Sequence, residues 1–239
     1  MATDLKYRKV LLKVSGEALM GDQGFGINPE TVNRICSDIK EGIDLGAKVA
    51  VVVGGGNIFR GVALAAKGAD RVSGDHMGML ATVMNAIAMR MALEALNINA
   101  VVLSAIEMSE ICEPFSQRAA ERHFDEGKVV IFAGGTGNPY FTTDTAAALR
   151  ACEMRCDALM KATQVDGIYS ADPKIDPDAE RFDKISHSEV LERGLEVMDA
   201  AAVSLTKDAN IPVVVFSLSQ AGGFAKILKG EGRSTTVTT

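Results

Sequence analysis

The feature that most constrains the fold of this chain is a series of short apolar runs, each followed by glycine or small polar residues. Each run is too short for a helix, and its nearly continuous apolar character is typical of strands that are buried on both faces. The runs occupy 10–14, 49–53, 100–103, 129–133, 158–162 and 213–216, and a last strand is predicted at 234–238. Strands of this kind favour a parallel sheet.

Helical segments separate these strands along the chain. Asn28 suits the N-cap of a first helix, Pro29 its first position and Gly46 its end. Further helices are predicted at 77–96, 116–126, from Thr142 or Thr143 to 149, at 188–193 and 199–210, and briefly before the last strand. Strands alternating with helices predict an α/β fold with a mainly parallel sheet covered on both faces. Since no linker or repeat interrupts the pattern, we predict a single domain over 1–239.

Three segments are predicted to lie outside this pattern. Residues 16–26 form a glycine-studded loop, 165–169 favour a tight hairpin around Asp-Gly, and the acidic, proline-containing stretch 172–183 favours a surface loop. Ligands of open α/β sheets bind beyond the carboxyl ends of the strands. The turns after Val14, Val53, Ala133 and Ala162 are therefore expected along one binding edge.

Composition narrows the possible partners and the cellular compartment. The formal net charge is −6 and no Lys/Arg block is present, so nucleic acid is not an expected partner. No apolar run reaches the roughly 18 residues of a membrane helix, and the polar N-terminus does not resemble a signal peptide. The cysteines form no CxxC pair and are predicted to be free thiols of a cytoplasmic protein, at Cys36, Cys112, Cys152 and Cys156.

Common catalytic motifs are missing from the sequence. No GxxxxGK[ST], GxGxxG, HExxH or GxSxG is present, which argues against a P-loop protein, a dinucleotide fingerprint, a zincin and an α/β-hydrolase. The three histidines, His76, His123 and His187, are scattered and are expected to be structural or solvated. The chemistry must therefore come from other residues.

Gly54-Gly55-Gly56 directly follows a predicted buried strand. Glycine backbone N–H groups can cradle a phosphate there, although a plain strand-to-helix turn explains the triplet equally well. Arg60 follows four residues later, and a guanidinium can grip phosphate through two parallel hydrogen bonds. Together these residues favour an anion site.

A second glycine-rich loop runs from Gly134 to Asp144. It combines backbone donors with an amide, hydroxyls and a carboxylate. Thr142 and Thr143 lie near a predicted helix N-terminus, where unpaired N–H groups and the helix dipole attract phosphate. The alternative is that these threonines only cap the helix.

Lys13 and Lys161 each lie near the end of an apolar strand. Burying a lysine in such a strand costs free energy unless its charge is paired or its side chain reaches solvent at the end of the strand. A single lysine of this kind is most often a snorkelling edge residue. Two that face the same edge suggest a polyanion site, in which Asp144 would orient them. These groups suit phosphoryl transfer, since positioned cations and Mg²⁺ stabilise the charge of its transition state. An acceptor that is itself a phosphate needs no general base, because it is largely a dianion at pH 7.

At these residues the sequence resembles the amino acid kinase family, and in particular its branch that phosphorylates UMP. The matching stretches are Lys-Val-Ser-Gly-Glu-Ala-Leu (13–19), Gly-Gly-Gly-Asn-Ile-Phe-Arg-Gly (54–61), Gly-Asp-His-Met-Gly-Met-Leu-Ala-Thr-Val-Met-Asn (74–85), Thr-Gly-Asn-Pro-Tyr-Phe-Thr-Thr-Asp (136–144) and Val-Asp-Gly-Ile-Tyr-Ser-Ala-Asp-Pro (165–173). The first stretch marks the wider family, and the third and fourth mark the UMP branch. The resemblance implies a three-layer αβα sandwich and transfer of the γ-phosphoryl group of Mg²⁺-ATP to UMP, giving UDP for pyrimidine nucleotide synthesis.

The resemblance also implies which residues bind each ligand, with no metal ion held by protein side chains alone. The implied catalytic residues are Lys13, Arg60, Asp144 and Lys161. The implied ATP site comprises Lys13, Val14, Ser15, Gly16, Gly56, Arg60, Thr163, Tyr169 and Asp172. The implied UMP site comprises Gly55, Asp75, Thr136, Gly137, Asn138, Pro139, Tyr140, Phe141, Thr142 and Thr143. Within the UMP site, Asp75 should accept hydrogen bonds from the ribose hydroxyls, although an acidic residue at a helix N-terminus is the plain alternative. Arg60 and Thr143 should hold the acceptor phosphate. Thr136 and Asn138 should recognise the edge of the uracil ring.

Members of this family are usually hexamers, and many respond to GTP as activator and UTP as inhibitor. The segment linked to GTP corresponds here to Gly21, Asp22, Gln23, Gly24, Phe25 and Gly26, whereas Met91 and Glu94 on the long helix diverge. Two other functions are weighed against UMP phosphorylation. A kinase of the same fold that acts on a small acid would have no ribose or uracil for Asp75 and Thr136 to contact. A storage or regulatory protein would not need Lys13, Arg60, Asp144 and Lys161 together.

Overall fold

The computed structural model describes residues 5–59, 68, 70–173, 175–176, 178–195, 197–218 and 222–239. Its strands are β1 (Lys9–Val14), β2 (Lys48–Val53), β3 (Ala100–Ser104), β4 (Glu113–Pro114), β5 (Val129–Ala133), β6 (Ala158–Thr163), β7 (Ile168–Tyr169), β8 (Arg181–Phe182), β9 (Lys184–Ser186), β10 (Val213–Ser217) and β11 (Ser234–Thr238). Its α-helices are α1 (Pro29–Asp44), α2 (Arg71–Ala95), α3 (Gln117–Asp125), α4 (Thr143–Glu153), α5 (His187–Glu192), α6 (Ala200–Asp208) and α7 (Gly223–Leu228).

Nine strands form one mainly parallel sheet. Their order across the sheet is β4-β3-β5-β2-β1-β6-β10-β11-β9. The seven strands from β4 to β10 in that order are parallel, and the change of direction comes at the antiparallel pair β10 and β11. The predicted fold class is confirmed, since helices cover both faces of this sheet.

Alternation along the strands divides the core into two layers. In β1, Val10, Leu12 and Val14 pack with α1, α2 and α7 on one face, and Leu11 packs with α4 on the other. Period-two alternation puts successive side chains on opposite faces, so near-continuous apolar strands fill both layers at once. The core is aliphatic, with few aromatic side chains, of which Phe124, Phe216 and Phe224 are fully buried.

Most predicted helix bounds agree with the structure, and the exceptions are the start of the long helix and the end of α4. Asn28 caps α1 by accepting a hydrogen bond from Thr31 N, as expected. The long helix, however, begins at Arg71, six residues before the predicted start at 77. Asp70 caps it through Ser73 N at 2.8 Å. Its first six residues are polar or glycine except for Val72, which concealed them from a search for apolar periodicity.

Three loop predictions and one helix end need correction. Residues 165–169 do not form a hairpin: β7 pairs instead with the distant β8, so the stretch 172–183 is not wholly a loop. Residues 16–26 contain two short 3₁₀ helices, Gly16–Leu19 and Gly21–Gln23. Helix α4 continues to Glu153 rather than ending at 149. In each case tertiary packing determines what local turn composition does not.

The four cysteines are free thiols, as predicted. Burial raises the pKa of Cys36 and that of Cys156 to about 12, so both stay protonated. Among the described residues, no helix is both long and apolar enough to cross a membrane.

Candidate functional site

The candidate site is built where β5, β2, β1 and β6 end side by side. These four strands are parallel neighbours, and Val14 of β1 is in register with Val53 of β2 and Ala162 of β6. Since the strands run in one direction, their following turns meet at one edge of the sheet. This is the edge that the sequence predicts.

Strand register also places the two lysines together. Lys13 and Lys161 are directly paired on β1 and β6, so their side chains leave the sheet on the same face. Asp144, in the first turn of α4, lies between them: Lys13 Nζ forms an ion pair with its Oδ1 at 2.7 Å, and Lys161 Nζ donates to its Oδ2 at 2.8 Å. The structure thus brings together three of the four implied catalytic residues.

The electrostatics of these three residues are strongly coupled. Burial alone would raise the pKa of Asp144, but the charges of Lys13 and Lys161 outweigh burial and hold that pKa below its ordinary value. Burial lowers the pKa of Lys161, the charge of Lys13 lowers it further, and Asp144 opposes the change. The carboxylate therefore stays ionised, and its negative charge offsets the repulsion between the two closely spaced ammonium groups.

The N-terminus of α4 is fixed by a second carboxylate, which the sequence analysis missed. Thr142 is the N-cap, since its hydroxyl accepts hydrogen bonds from Asp144 N and Thr145 N. The hydroxyls of Thr142 and Thr145 both donate to Asp199, which in turn caps α6 through Ala202 N. Asp199 therefore holds in place the helix whose first turn carries Asp144.

The turns after β1 and β2 pack tightly against each other. Ser15 caps the 3₁₀ helix that follows β1 by accepting from Ala18 N. A Cβ on Gly16 would lie 2.6 Å from Gly56 N and 2.9 Å from Gly54 O. Only glycine at position 16 permits this approach, which brings backbone amide groups of the two turns close together.

A cavity of about 260 Å³ adjoins these turns on one side. Six of the residues implied for UMP line it, namely Gly55, Asp75, Thr136, Phe141, Thr142 and Thr143. The other four implied residues, Gly137, Asn138, Pro139 and Tyr140, do not line it and form the loop beyond it. There, Asn138 hydrogen-bonds Thr136 through its backbone N and its side-chain amide.

Asp75 projects into this cavity from the second turn of α2 and is held by two partners. Arg71 Nε, one turn earlier, donates to both carboxylate oxygens at 2.8 and 2.9 Å, and Tyr140 N donates to Oδ2 at 2.7 Å. Tyr140 adopts φ 72°, a left-handed conformation that is unfavourable for a non-glycine residue. The guanidinium of Arg71 also lies over the Tyr140 ring, 5.6 Å from its centroid. The Asp75 carboxylate is therefore fixed in orientation.

A larger cavity of about 670 Å³ lies on the other side of Lys161. Thr163, Tyr169 and Asp172, all implied for ATP, line it together with Lys161. Tyr169 is tethered by its hydroxyl, which donates to Asp166 at 2.6 Å. Lys161 lines this larger cavity and Thr143, the neighbour of Asp144, lines the smaller one, so the group of Lys13, Asp144 and Lys161 lies between the two cavities.

The remaining implied residues have different settings. Val14 is buried in β1, and Gly56 is the last residue of the glycine triplet, which packs against the turn at Gly16. The segment Gly21–Gly26 lies at the surface with Phe25 67% exposed, and it is joined to the glycine triplet through Gly26 and Asn57. Arg60 lies outside the described residues.

Among the described residues, no three His, Cys, Asp or Glu side chains are grouped so as to hold a metal ion. Asp144, with both oxygens facing lysines, is the ionised carboxylate closest to the two cationic side chains.

The sequence analysis missed Arg71, Asp199 and a buried pair, Asn57 and Asn85. Arg71 was detectable, since it stands four residues before Asp75 on a helix. Both asparagines stand inside stretches whose motifs were recognised, but nothing in their spacing shows that they touch. Asp199 is far from Thr142 in sequence and could not be found by local patterns.

The fold and the site together define a ligand-binding α/β protein with paired cations between two cavities. A profile of the amino acid kinase family matches residues 8–217, and the chain belongs to that family. The predicted family is confirmed.

Similar proteins agree over nearly the whole chain. The uridylate kinase of Brucella anthropi is 65% identical over 97% of this chain and 96% of that protein, and that of Rhizobium meliloti is 66% identical over 97% of each. The solved structure of the UMP kinase from Bacillus anthracis superposes with a TM-score of 0.94 at 38% identity and covers 97% of this chain and 96% of its own. That from Ureaplasma parvum superposes with a TM-score of 0.92 at 34% identity, covering 98% and 100%.

Proposed function

We propose that this protein is a UMP kinase, which transfers the γ-phosphoryl group of ATP to UMP and produces UDP and ADP for pyrimidine nucleotide synthesis. The observation that carries the proposal is the Lys13–Asp144–Lys161 triad between two cavities of unequal size. The identity of about 65% to uridylate kinases over nearly the full length supports the same reaction.

In this proposal the larger cavity takes ATP and the smaller one takes UMP. Thr163, Tyr169 and Asp172 contact the nucleoside of ATP, and its phosphates extend along Lys161 and Lys13 towards Ser15 and Gly16. Asp75 accepts hydrogen bonds from the ribose of UMP in the smaller cavity. The two phosphate groups then meet above the packed turns of Gly16 and Gly54–Gly56.

The residues of the triad act by charge and position. Ammonium groups on Lys13 and Lys161 stabilise the negative charge that spreads over the transferred phosphoryl group, and Asp144 holds both at a fixed separation. No side chain has to remove a proton, because the acceptor phosphate is already largely a dianion at pH 7. Mg²⁺ that arrives with ATP supplies further charge neutralisation.

The acceptor phosphate lies at the N-terminus of α4. Thr143 begins this helix and lines the smaller cavity, where backbone N–H groups and the helix dipole favour an anion. Arg60 is assigned to the same phosphate from the sequence. Thr136 is assigned to the uracil edge, with Asn138 supporting the loop.

We further propose that the chain works in the cytoplasm as one domain and assembles as a homo-oligomer, a hexamer as is usual for its family. A stripe on α2 supports assembly: Met77, Leu80, Met84 and Met91 follow helical spacing and are each about half exposed. Exposed apolar stripes of this size mark contact surfaces, and a second copy of the chain would cover it. GTP at Gly21–Gly26 and UTP are the proposed effectors.

A coupled ADP-release assay tests the function directly. Purified protein with ATP and Mg²⁺ is offered UMP, CMP, dUMP, acetylglutamate, aspartate and carbamate in parallel. We expect turnover with UMP and little with the small acids. Turnover with an acid in place of UMP would contradict the proposal, and binding of UMP and ATP without any turnover would favour a storage or regulatory protein.

A further inference from the structure

Two buried asparagines, Asn57 and Asn85, form a reciprocal pair behind the glycine-rich turns. Asn57 is 2% exposed and Asn85 is fully buried. Asn57 Nδ2 donates to Asn85 Oδ1 at 3.0 Å, and Asn85 Nδ2 donates to Asn57 Oδ1 at 2.7 Å. Each amide thus satisfies the other, and each has one N–H left for a further partner.

The remaining N–H groups both reach backbone carbonyls of functional turns. Asn85 Nδ2 donates to Gly54 O at 2.6 Å, at the start of the glycine triplet. Asn57 Nδ2 donates to Gly26 O at 2.8 Å, and Gly26 N donates back to Asn57 O at 2.8 Å. The pair therefore ties α2 to the triplet and to the end of the segment Gly21–Gly26.

Asn57 also fills the space behind the turn after β1. A Cβ on Gly16 would lie 2.6 Å from Asn57 Oδ1, closer than real Cβ contacts come. The backbone at Gly16 therefore rests directly on the Asn57 amide. Since Asn57 is itself held by Asn85, the position of one turn relative to the other depends on this pair.

We propose that Asn57 and Asn85 are positioning residues that set the separation between the turn of Gly16 and the turn of Gly54–Gly56. The inference rests on the proposed function, in which these turns hold the donor and acceptor phosphates. In-line transfer is sensitive to this separation, since a misplacement of about 1 Å can cost on the order of 10²-fold in rate. A merely structural pair would affect folding stability but not this step.

Asn85→Asp is the most informative variant, because it keeps the size of the side chain and replaces the nitrogen that donates to Gly54 O and Asn57 Oδ1 with an oxygen. Near pH 8 the new carboxylate faces Gly54 O without a proton, so the hydrogen bond to the triplet is lost. Burial raises the pKa of a carboxyl group, so on lowering the pH towards about 6 it gains one proton, which can restore one of the two lost hydrogen bonds, including that to Gly54 O. We expect kcat near pH 8 to fall roughly ten- to a hundredfold, with the KM values for ATP and UMP changed far less, and to recover relative to wild type as the pH falls.

Controls separate positioning from stability. Asn85→Leu cannot regain the donor, so its rate relative to wild type should show no recovery at lower pH. Thr206→Val removes a fully buried hydroxyl in the other core layer and should leave kcat unchanged. Each rate is divided by the wild-type rate at the same pH, which cancels any pH dependence that the variant shares with the wild type. Glu17 is a charged side chain near this pair, 3.9 Å from a Cβ on Gly56.

A second measurement needs no turnover and so is independent of the proposed function. Amide hydrogen exchange should accelerate in peptides spanning 14–17 and 53–58 of Asn85→Leu, beyond any change in Thr206→Val. Faster exchange without UMP turnover by the wild type would sustain the positioning role and overturn only the proposed function. Unchanged exchange in both peptides, or a folded Asn85→Asp with kcat within about twofold of wild type at every pH, would overturn the inference.

Discussion

Replacing Asp144 with Asn tests the electrostatic argument for the candidate site most directly. The side chain keeps its size but loses the charge that contacts Lys13 at 2.7 Å and Lys161 at 2.8 Å. The side chains of the triad are at most 15% exposed, so water cannot replace the lost charge. Two ammonium groups then face each other with only a neutral amide between them.

The expected magnitude follows from this burial. Removing one member of a buried ion pair costs about 3–5 kcal/mol, and the remaining exposure favours the lower end, about 3 kcal/mol of unfolding free energy. Because the lysines also lose their orientation, kcat should fall on the order of 10²-fold. Urea denaturation measures the first quantity and the coupled ADP-release assay measures the second.

The matched control is Asp125→Asn, which breaks the exposed Lys48–Asp125 pair at 3.3 Å. Exposed ion pairs contribute about 0–1 kcal/mol, so this variant should resemble the wild type in both assays. If Asp144→Asn also resembles the wild type in both, the reasoning about the triad is refuted. A loss of stability with unchanged kcat would leave Asp144 a structural role alone.

The stability difference between wild type and Asp144→Asn should also depend on pH. The pKa of Asp144 lies below its ordinary value of 3.8, because the two lysine charges outweigh its burial. A carboxylate whose pKa is lowered on folding contributes its stability in full above the unfolded value, and loses it as the pH falls through the folded value. The difference should therefore be constant above about pH 5 and shrink below pH 3.8.

Two further predictions concern α2. Arg71→Lys loses the contact with both oxygens of Asp75, so the KM for UMP should rise about tenfold with kcat nearly unchanged. The control Arg90→Lys breaks a looser ion pair on the same helix and should alter neither KM nor kcat. Equal kinetics for the two variants would contradict the role given to Arg71. Met84→Glu puts a charge into the exposed apolar stripe, so the mass of the assembly measured by light scattering should fall while the circular dichroism spectrum stays native. An unchanged mass would exclude this stripe as the contact between copies.

Strand positions were predictable because strands that are buried on both faces appear in the sequence as short, nearly continuous apolar runs. The start of α2 was not, and the reason is functional. Gly74, Asp75 and Gly78 line the smaller cavity, so the first turns of the helix carry residues chosen for a ligand rather than for the core. Apolar residues become frequent only from Met77 onward, both in the core and in the exposed stripe, which is why the prediction began at 77.

Interactions between distant residues set the limit of the site prediction. Lys13 and Lys161 stood out because a cation is unexpected in an apolar strand, and their direct pairing follows once the strands are adjacent. Asp199 gave no such signal, since an acid before a helix is adequately explained as a cap. Its bonds to the Thr142 and Thr145 hydroxyls depend on how α4 and α6 pack, which local sequence does not encode.

The triad also resolves an apparent conflict between an acidic protein and two anionic substrates. The chain has a formal net charge of −6, so its overall field does not attract nucleotides, and the attraction has to be local. The formal charges of Lys13, Asp144 and Lys161 sum to one positive charge, so the carboxylate offsets half of the positive charge that the two lysines bring into this largely buried site. In the proposed function, the lysines are already held in place when the phosphate groups bind, so little reorganisation would be needed at the moment of transfer. A carboxylate within a phosphate site therefore does not oppose the reaction, because without it burial would favour the neutral form of Lys161.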